Sequence, residues 1–387
     1  MKYPIGIQSF ERIREGGFVY IDKTAMLYDL VSTGSIYFLS RPRRFGKSLL
    51  VSTLENYFLG RKELFRGLAI DSLEKEWAEY PVFHLDFNGI NFKKSDSLEM
   101  TLNKYLEDGE KRYNINPDTS EPGIRFNAIL EAAHEKTGRR AVVLIDEYDM
   151  PLLEVMNTGM PSPVVEGDVK TLEDYNRNIL KGFYSVFKLA DKHLRFVLLT
   201  GVTKFSQVSV FSGFNQPKDI SNDSRYDAIC GISKEELLSL FKEQIRVLGE
   251  VNGMTEEETI DMLKRKYDGY HFSKGMKDIF NPFSILNCFD SNDFQDYWFS
   301  TGTPTYLMRL LSDNNENVNE LVGKYYPAPE FVDYKATRQR PLPMLYQSGY
   351  LTIKGYNRRR NTYLLDFPNE EVRSGMTSAL AGDYFGS

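Results

Sequence analysis

Hydrophobic residues in the first 200 positions form short continuous runs that alternate with amphipathic stretches. Four runs are rich in the β-branched and aromatic residues of buried strands: residues 35–39, 81–87, 141–145 and 194–200. Between the runs, apolar positions recur at helical spacing, as at Leu50, Leu54 and Phe58 and within residues 175–189. This alternation predicts an α/β fold with a doubly wound parallel sheet.

The segment before the first of these runs predicts one short strand and one helix. The strand covers residues 18–21, Phe-Val-Tyr-Ile, and the helix covers residues 23–31, with Asp22 at its N-cap. This segment could lie beside a bound base, although none of its residues is specific for that role.

From about residue 231 the pattern becomes helical. Capping boxes at residues 233–236 and 255–258 precede amphipathic runs and predict helices that end near Ile245 and Tyr267. The Asn-Pro pair at residues 281–282 predicts the start of a third helix. These helices are expected to form a lid over the sheet.

The last 80 residues predict helices followed by a β-hairpin. The expected elements are helices at 304–311 and 342–347 and strands at 349–353 and 362–367. Three arginines lie in the turn between these strands, and helices followed by a hairpin with a basic tip have the outline of a winged helix. The chain is therefore divided into a core over 1–230, a helical lid over 231–300 and a winged-helix-like unit over 301–387.

The stretch FLSRPRRFGKSLL, residues 38–50, contains the second half of a phosphate-binding loop. Gly46, Lys47 and Ser48 match the end of the pattern G-x-x-x-x-G-K-[ST], while Arg41 replaces its first glycine. The stretch lies between a predicted strand and a predicted helix, where loop amides and the positive end of the helix can bind phosphate. The residues expected to contact a nucleotide are Arg41, Arg43, Arg44, Phe45, Gly46, Lys47, Ser48 and Leu49.

A pair of acidic residues, Asp146 and Glu147, follows the run at 141–145 in RRAVVLIDEYD. Buried carboxylates at a strand end are costly unless they serve a function. In phosphoryl-transfer sites the first carboxylate holds the metal, and a glutamate just beyond it can polarise the attacking water. We therefore expect Ser48 and Asp146 to hold Mg²⁺, and Glu147 and Lys47 to act in catalysis.

Two further groups are candidates for contact with a γ-phosphate. Thr200 is expected to act in catalysis, because it ends a predicted strand whose carboxyl end meets the same sheet edge; Thr203 is a second candidate. Arg43 or Arg44 could do in cis what an arginine finger does in trans. Salt bridges to neighbouring acidic groups are the alternative for these arginines, and the sequence leaves both open.

Composition narrows the class of protein. The chain has 387 residues, 41% hydrophobic and 26% charged, and no uninterrupted apolar run of 18 residues, so we expect no membrane partner. Cys230 and Cys288 cannot form a disulfide framework, and no zinc-binding spacing is present, which predicts a reducing, cytoplasmic setting. The net charge of −6 argues against broad attraction to nucleic acid. Local contact with DNA or RNA is left open for Arg358, Arg359 and Arg360, with Lys335, Arg338 and Arg340.

The chain resembles the bacterial AAA-ATPase-like family, in which a PD-(D/E)xK-type nuclease domain often follows the ATPase. The resemblance runs from residue 16 to 373 and lies in GGFVYIDKT, FLSRPRRFGKSLL, VVLIDEYDMPL, LTGVTKFSQVSVFSG, YDGYHFS, NPFSILN, YWFSTGTPTYL, LYQSGYLTI and FPNEEVR. It implies that an arginine at position 41 belongs to the family's own form of the loop. It also implies that the helical lid and the winged-helix-like unit are present. It also implies nucleotide and metal roles for Lys47, Ser48, Asp146 and Glu147. The sequence ends at Ser387, about where a nuclease would begin, so truncation and a nuclease-free member both remain open.

Three functions from different classes agree with these observations. The first is an ATPase that uses Mg²⁺ and works as a switch or motor in nucleic-acid processing, and Glu147 favours it. The second is a scaffold that binds ATP or ADP with negligible hydrolysis. The third is a DNA-binding or interaction protein whose nucleotide site is vestigial. Association of the chain with further copies of itself is left open.

Overall fold

The computed structural model describes residues 1–205, 217–314, 316–332 and 340–385. Up to residue 219 the elements are α1 (Phe10–Glu15), α2 (Thr24–Thr33), β1 (Ile36–Ser40), α3 (Lys47–Phe58), α4 (Ala69–Leu73), β2 (Val82–Asp86), α5 (Ser97–Tyr113), α6 (Pro122–Thr137), β3 (Ala141–Asp146), α7 (Met150–Leu153), β4 (Pro161–Glu166), β5 (Val169–Thr171), α8 (Leu172–Tyr184), α9 (Val186–Leu189), β6 (Leu194–Gly201) and β7 (Lys218–Asp219). The later elements are β8 (Ile232–Ser233), α10 (Lys234–Leu240), α11 (Lys242–Asn252), α12 (Glu256–Tyr267), β9 (Ile279–Phe280), α13 (Pro282–Ser291), α14 (Thr305–Asn314), α15 (Val318–Leu321), β10 (Lys324–Pro327), α16 (Pro341–Gln347), β11 (Thr352–Asn357), β12 (Thr362–Asp366) and α17 (Glu370–Phe385).

The central sheet is parallel and has the strand order β2–β3–β6–β1–β7. Every residue of β3 is buried, as expected for an interior parallel strand. Helix α3 packs against β2, β3 and β6, and α6 packs against β3. Ser40 lies opposite Gly201 and Asp86 opposite Asp146, so the carboxyl ends of the four longer strands meet at one edge. The predicted α/β fold with a parallel sheet is confirmed.

Two hydrophobic cores stabilise the described part of the chain. The first surrounds the sheet and continues into the carboxyl-terminal elements, where Met344, Ile353 and Val372 belong to it. The second lies among α10 to α13, where the rings of Phe241 and Phe289 stack with centroids 5.1 Å apart. Because the carboxyl-terminal residues share the core of the sheet, they are packed onto it rather than tethered to it.

The strand predicted over residues 18–21 is wrong. Those residues belong to the connection between α1 and α2, and the amide of Val19 donates to the carbonyl of Lys2 at 2.9 Å. An apolar run this short forms a strand only where a neighbouring strand can pair with it. The prediction of Asp22 as the N-cap is also wrong by one position, since α2 begins at Thr24 and its N-cap is Lys23. The Oδ1 of Asp22 nevertheless accepts from the amide of Thr24 at 2.9 Å.

Both predicted capping boxes are present, at the starts of α10 and α12, and α13 begins at Pro282 with Asn281 as its N-cap. The helix predicted to continue to about Ile245 is instead interrupted, since α10 ends at Leu240 and α11 begins at Lys242. Between them Phe241 has φ −116° and ψ 21° and is fully buried in the second core. Burial of this ring outweighs the helical pattern of the sequence.

The predicted carboxyl-terminal hairpin is present, but its first strand lies three residues later than expected. The amides of Tyr350 and Leu351 both donate to the carbonyl of Leu345, and Gly349 has φ 86°, so this stretch ends α16 before β11 begins. A third strand, β10, pairs with β12 and was not predicted, nor was the β4–β5 hairpin. Their sequences, KYYP and PSPVVE, lack the alternation that identifies a half-buried strand.

Gly231, just before β8, has a conformation and surroundings that exclude a side chain. Its φ is 88°, and an added Cβ would lie 2.4 Å from Cγ2 of Ile279. Gly253 also has a positive φ, of 68°, but open space around it. We expect Gly253→Ala to lower the free energy of unfolding by about 1 kcal/mol through backbone strain, and Gly231→Ala to lower it by about 2–4 kcal/mol because a steric clash is added. Urea unfolding of both variants measures this, and equal losses would contradict it.

Candidate active site

The loop between β1 and α3 makes its turn with two residues of positive φ. Arg44 has φ 63° and Gly46 has φ 96°, and Gly46 precedes the first residue of α3 without a side-chain cap. Arg41 does not have a positive φ. The glycine that the usual pattern has at position 41 is therefore not required here, because the left-handed turn occurs three residues later.

The side chain of Arg41 anchors the start of this loop inside the protein. Its guanidinium is buried and donates to the carbonyls of Ser40 at 2.9 Å, Ser221 at 2.8 Å and Tyr226 at 3.0 Å. It also lies 4.0 Å from the centre of the Phe272 ring. These contacts fix the side chain in a small cavity separate from the one that Gly46 and Lys47 line, so the expectation of an Arg41 cation beside the phosphates is not met.

Lys47, the first residue of α3, is buried in contact with a carboxylate. Its Nζ donates to the carbonyls of Arg41 at 3.1 Å and Pro42 at 3.3 Å, and it lies 3.1 Å from Oε1 of Glu147. Glu147 has φ 52°, which turns the chain sharply after β3. Burial raises the pKa of Glu147 above its usual value, and the nearby Lys47 ammonium opposes that rise.

Asp146 and Thr200 are in direct contact behind this pair. Thr200 Oγ1 donates to Oδ1 of Asp146 at 2.6 Å, and the amide of Glu147 donates to the same oxygen at 3.1 Å. The side-chain amide of Asn88 lies 3.4 Å from the other carboxylate oxygen, Oδ2. The aspartate is therefore fixed by bonds to one of its oxygens, and the second is held weakly.

Asp149 and Asn88 belong to the same edge of the sheet and were not identified from the sequence. Asp149 is fully buried, and its Oδ2 accepts from the amides of Val202 at 3.0 Å and Thr203 at 2.6 Å. Burial raises the pKa of Asp149 to about 8. Its position in the run DEYD, three residues after Asp146, is a signal that could have indicated it. Asp149 thus links the turn after β3 to the end of β6.

A cavity of about 450 Å³ is lined by the loop, within the range of about 300–1,000 Å³ typical of ligand sites. Its polar wall consists of Arg43, Arg44, Gly46, Lys47, Ser48, Asn88 and Glu147. Its apolar wall includes Ile5, Ile7, Val19, Ile21, Phe283 and Leu286, and Phe45 and Leu49 also line it. Seven of the eight predicted nucleotide contacts thus share one cavity, whereas Asp146 and Thr200 lie behind Glu147.

Residues distant in sequence also hold the loop in place. The indole Nε1 of Trp298 donates to the carbonyl of Arg43 at 2.9 Å, and the amide of Gly231 donates to the carbonyl of Phe45 at 3.1 Å. The Phe45 ring packs edge-on against Tyr270, with ring centres 4.8 Å apart. Residues after position 230 therefore help to set the loop conformation, together with the partners of Arg41 and Lys47.

The donor set at the loop fits a magnesium ion bound together with phosphate. Within the described residues no group of three or more histidine, cysteine, aspartate or glutamate side chains could hold a metal by itself. Mg²⁺ in phosphoryl-transfer sites needs fewer protein ligands, because phosphate oxygens and water complete its octahedron. One hydroxyl, of Ser48, and one fixed carboxylate, of Asp146, meet that need.

Other residues named from the sequence lie elsewhere. Thr203 Oγ1 donates to Sδ of Met344 at 3.3 Å. The ring nitrogens of His271, Nδ1 and Nε2, lie within hydrogen-bond distance of the Ile353 carbonyl and of Asp278. The arginines at 358–360 are exposed at the tip of the β11–β12 hairpin. Arg340 is exposed just before α16, and Lys335 and Arg338 lie outside the described residues.

Comparison with known proteins gives two findings. A family model described as "Predicted AAA-ATPase" matches residues 4–211, which include the loop, β3 and β6. A protein of Azotobacter chroococcum mcd 1, described as "Uncharacterized protein in vnfD 5'region", is 36% identical over 383 residues, which are 98% of this chain and 70% of that protein. In the part of the chain that the structure describes, no helix has the length and apolar character needed to cross a membrane.

Proposed function

Because this chain belongs to the predicted AAA-ATPase family, we propose that it binds ATP with Mg²⁺ at the loop before α3 and hydrolyses it. The observation that supports this most directly is the buried contact between Lys47 Nζ and Glu147 Oε1, at 3.1 Å. It brings a cation at a helix start and a carboxylate at a strand end into one cavity. Phosphoryl transfer depends on positioning and on compensation of charge by groups of these two kinds.

Lys47 is the proposed phosphate ligand. Two backbone carbonyls, of Arg41 and Pro42, hold its ammonium at the cavity, so little side-chain entropy would be lost on binding. A phosphate oxygen would replace Glu147 as the anionic partner of the ammonium. Substrate binding would thereby release the carboxylate of Glu147 for contact with water.

Ser48 and Asp146 are the residues proposed to hold Mg²⁺. The bound ion would neutralise phosphate charge and orient the phosphate oxygens. The hydroxyl of Thr200 and the amide of Glu147 both donate to Oδ1 of Asp146, which fixes the carboxylate before the ion arrives. Thr200 would therefore act through Asp146, by holding it in place.

Glu147 is the proposed general base. Its Oε2 is buried and has no hydrogen-bond partner among the described residues, so it is available to accept a proton from water. Burial raises its pKa, which makes the carboxylate a stronger base than a glutamate in water. The positive φ of 52° aims this side chain into the cavity rather than along β3.

Arg43 and Arg44 are exposed and line the cavity, which supports a role for either in compensating the γ-phosphate charge in cis. The Arg44 guanidinium lies 4.4 Å from the centre of the Phe283 ring, on α13. We propose that the helices of residues 231–300 act as a lid, since α13 touches both this arginine and the apolar wall. The uncharged nucleobase of ATP would bind against that apolar wall.

A scaffold that binds ATP without hydrolysing it is the alternative. The buried Oε2 of Glu147 favours hydrolysis, because the contact with Lys47 uses Oε1 and leaves Oε2 without a hydrogen-bond partner among the described residues. Steady-state ATP turnover, measured with and without DNA, separates the two. Stimulation by DNA would support a switch or motor in nucleic-acid processing.

Lys47→Ala is expected to weaken binding of Mg-ATP about 10- to 150-fold, because a desolvated charged contact of about 1.5–3 kcal/mol is lost. Isothermal titration calorimetry measures the affinity. Lys111→Ala, which removes an exposed lysine of α5, is the matched control and should bind as the wild type does. Equal affinities of the Lys47 variant and the wild type would exclude Lys47 as the phosphate ligand.

Glu147→Gln is expected to retain ATP binding and to lower turnover by about 100-fold or more, since the shape of the side chain survives while its basicity is lost. Single-turnover hydrolysis at saturating ATP gives the rate of the chemical step. Glu135→Gln, at an exposed position of α6, serves as the control. Wild-type turnover in the Glu147 variant would move the catalytic role to another residue.

A second candidate function, contact with nucleic-acid phosphates, is favoured by the exposure of Arg358, Arg359 and Arg360 at the hairpin tip. The side chain of Asn357 accepts from the amides of Arg359 and Arg360 at 3.1 and 3.2 Å, so the turn itself is ordered. Such contacts would position the protein on a backbone without reading bases. We therefore propose that this hairpin belongs to a winged-helix-like unit that contacts nucleic acid through its tip.

Replacing the three tip arginines by alanine is expected to flatten the slope of log K against log salt for duplex DNA by up to about 2.7, at about 0.9 per phosphate contact. Replacement by lysine preserves the charge and should preserve the slope. Fluorescence anisotropy across a salt titration gives both values. Identical slopes for the alanine variant and the wild type, or failure of the wild type to bind DNA at low salt, would contradict contact at the tip.

A further inference from the structure

Glu371, near the start of α17, is not one of the residues that line the cavity, and its buried side chain makes three hydrogen bonds. Its Oε1 accepts from the backbone amides of Trp298 at 2.6 Å and Phe299 at 3.2 Å, and its Oε2 accepts from the hydroxyl of Ser284 at 2.8 Å. The side chain is fully buried. The amide of Trp298 also lies 3.2 Å from the hydroxyl of Ser284. Bonds to a buried carboxylate are among the strongest in a protein, so Glu371 is the main anchor of the backbone at Trp298.

Trp298 in turn holds the phosphate loop. Its indole N–H donates to the carbonyl of Arg43, and its ring lies 6.5 Å from the ring of Tyr270, which packs against Phe45. Arg43 and Phe45 flank Arg44, the residue with φ 63°. A non-glycine residue in that conformation is strained and persists only when its surroundings hold it.

Further contacts join α17 to the same region. The side chain of Asn369 donates to the carbonyl of Asp268 at 2.9 Å, and Lys354 Nζ donates to the carbonyls of Gly269 and Pro368, both at 2.8 Å. A Cβ added to Gly375 would lie 2.3 Å from the Phe299 ring, so α17 lies directly against the chain next to Trp298. Side-chain and backbone contacts therefore link α17 through Trp298 to the loop.

We infer that Glu371 is a positioning residue for the nucleotide site, which holds the phosphate loop through Trp298. A change in the position of α17 would move the carbonyl of Arg43 and relax the turn at Arg44. The carboxyl-terminal elements thereby set whether the two arginines and Lys47 are arranged for phosphate. The inference rests on the proposed function only for the identity of the ligand that the loop binds. The contacts that run from Glu371 through Trp298 to the loop, called the brace below, can be measured without nucleotide.

Limited trypsin digestion tests the brace directly, since Arg43 and Arg44 are themselves cleavage sites. Glu371→Ala and Trp298→Phe are each expected to raise the rate of cleavage after Arg43 and Arg44 about 2- to 10-fold, the change in local opening that follows the loss of one hydrogen bond. Cleavage after Arg66, exposed in a turn before α4, is the internal standard, quantified by mass spectrometry.

Three further variants distinguish positioning from general destabilisation. Glu371→Gln retains an oxygen acceptor and should restore slow cleavage, and Trp77→Phe, at the only other tryptophan, should leave the loop unchanged. If Glu371 acts through Trp298, the double variant should be cleaved no faster than the faster single variant. Trp298→Phe gives the same readout should Glu371→Ala fail to fold. The inference would be overturned if loop cleavage is unchanged in both single variants, or if the two substitutions have additive effects on the cleavage rate.

ATP affinity of the same proteins completes the test. Glu371→Ala and Trp298→Phe are expected to bind Mg-ATP about 5- to 150-fold more weakly than the wild type, the usual range for coupling between distant sites. If the loop responds to the variants but the wild type does not bind ATP, the proposed function fails and the brace stands. If the wild type binds ATP and the variants bind it equally well, the positioning role is overturned.

Discussion

The burial of Lys47 beside Glu147 is the constraint on which the arrangement of the site depends. Either charge alone would lose several kcal/mol of hydration on burial, so each requires the other or a ligand of equal charge. The pair can form only if the turn after β3 and the start of α3 meet at the carboxyl edge of the sheet. The parallel register, with Asp146 beside the end of β6, brings this about. Under the proposed function, a phosphate oxygen would compete with Glu147 for the lysine.

The elements that surround this edge could be predicted because their patterns are local. A buried run that stops at an acidic pair, or a strand followed by Gly-Lys-Ser, needs no knowledge of the rest of the chain. The roles proposed for Lys47 and Glu147 came from that context, and the structure brings the two side chains together. The same reasoning gave the capping boxes of α10 and α12, where the side chain and amide that bond are three residues apart.

What could not be predicted depends on contacts between distant segments. Arg41 has the position of a phosphate contact, yet carbonyls some 180 residues later bind its guanidinium. Residues 18–21 have the composition of a strand but lack a neighbouring strand. Asn88, Trp298 and Glu371 become relevant only once the sheet edge and the carboxyl-terminal elements have packed. No spacing in the sequence indicates such partners, because the residues that bond to them belong to other elements.

The loop and its brace are 255 positions apart, and this separation has a consequence for the synthesis of the protein. A chain that emerges from the ribosome exposes Arg43 and Phe45 long before Trp298 is made, and Glu371 follows later still. The strands of the parallel sheet end at Asp219, so they could pair in the meantime. The loop would then lie on a paired sheet without its contact to Trp298. Nascent chains of intermediate length would therefore gain the sheet first and a competent nucleotide site last, so assembly of the site would report completion of the carboxyl-terminal elements.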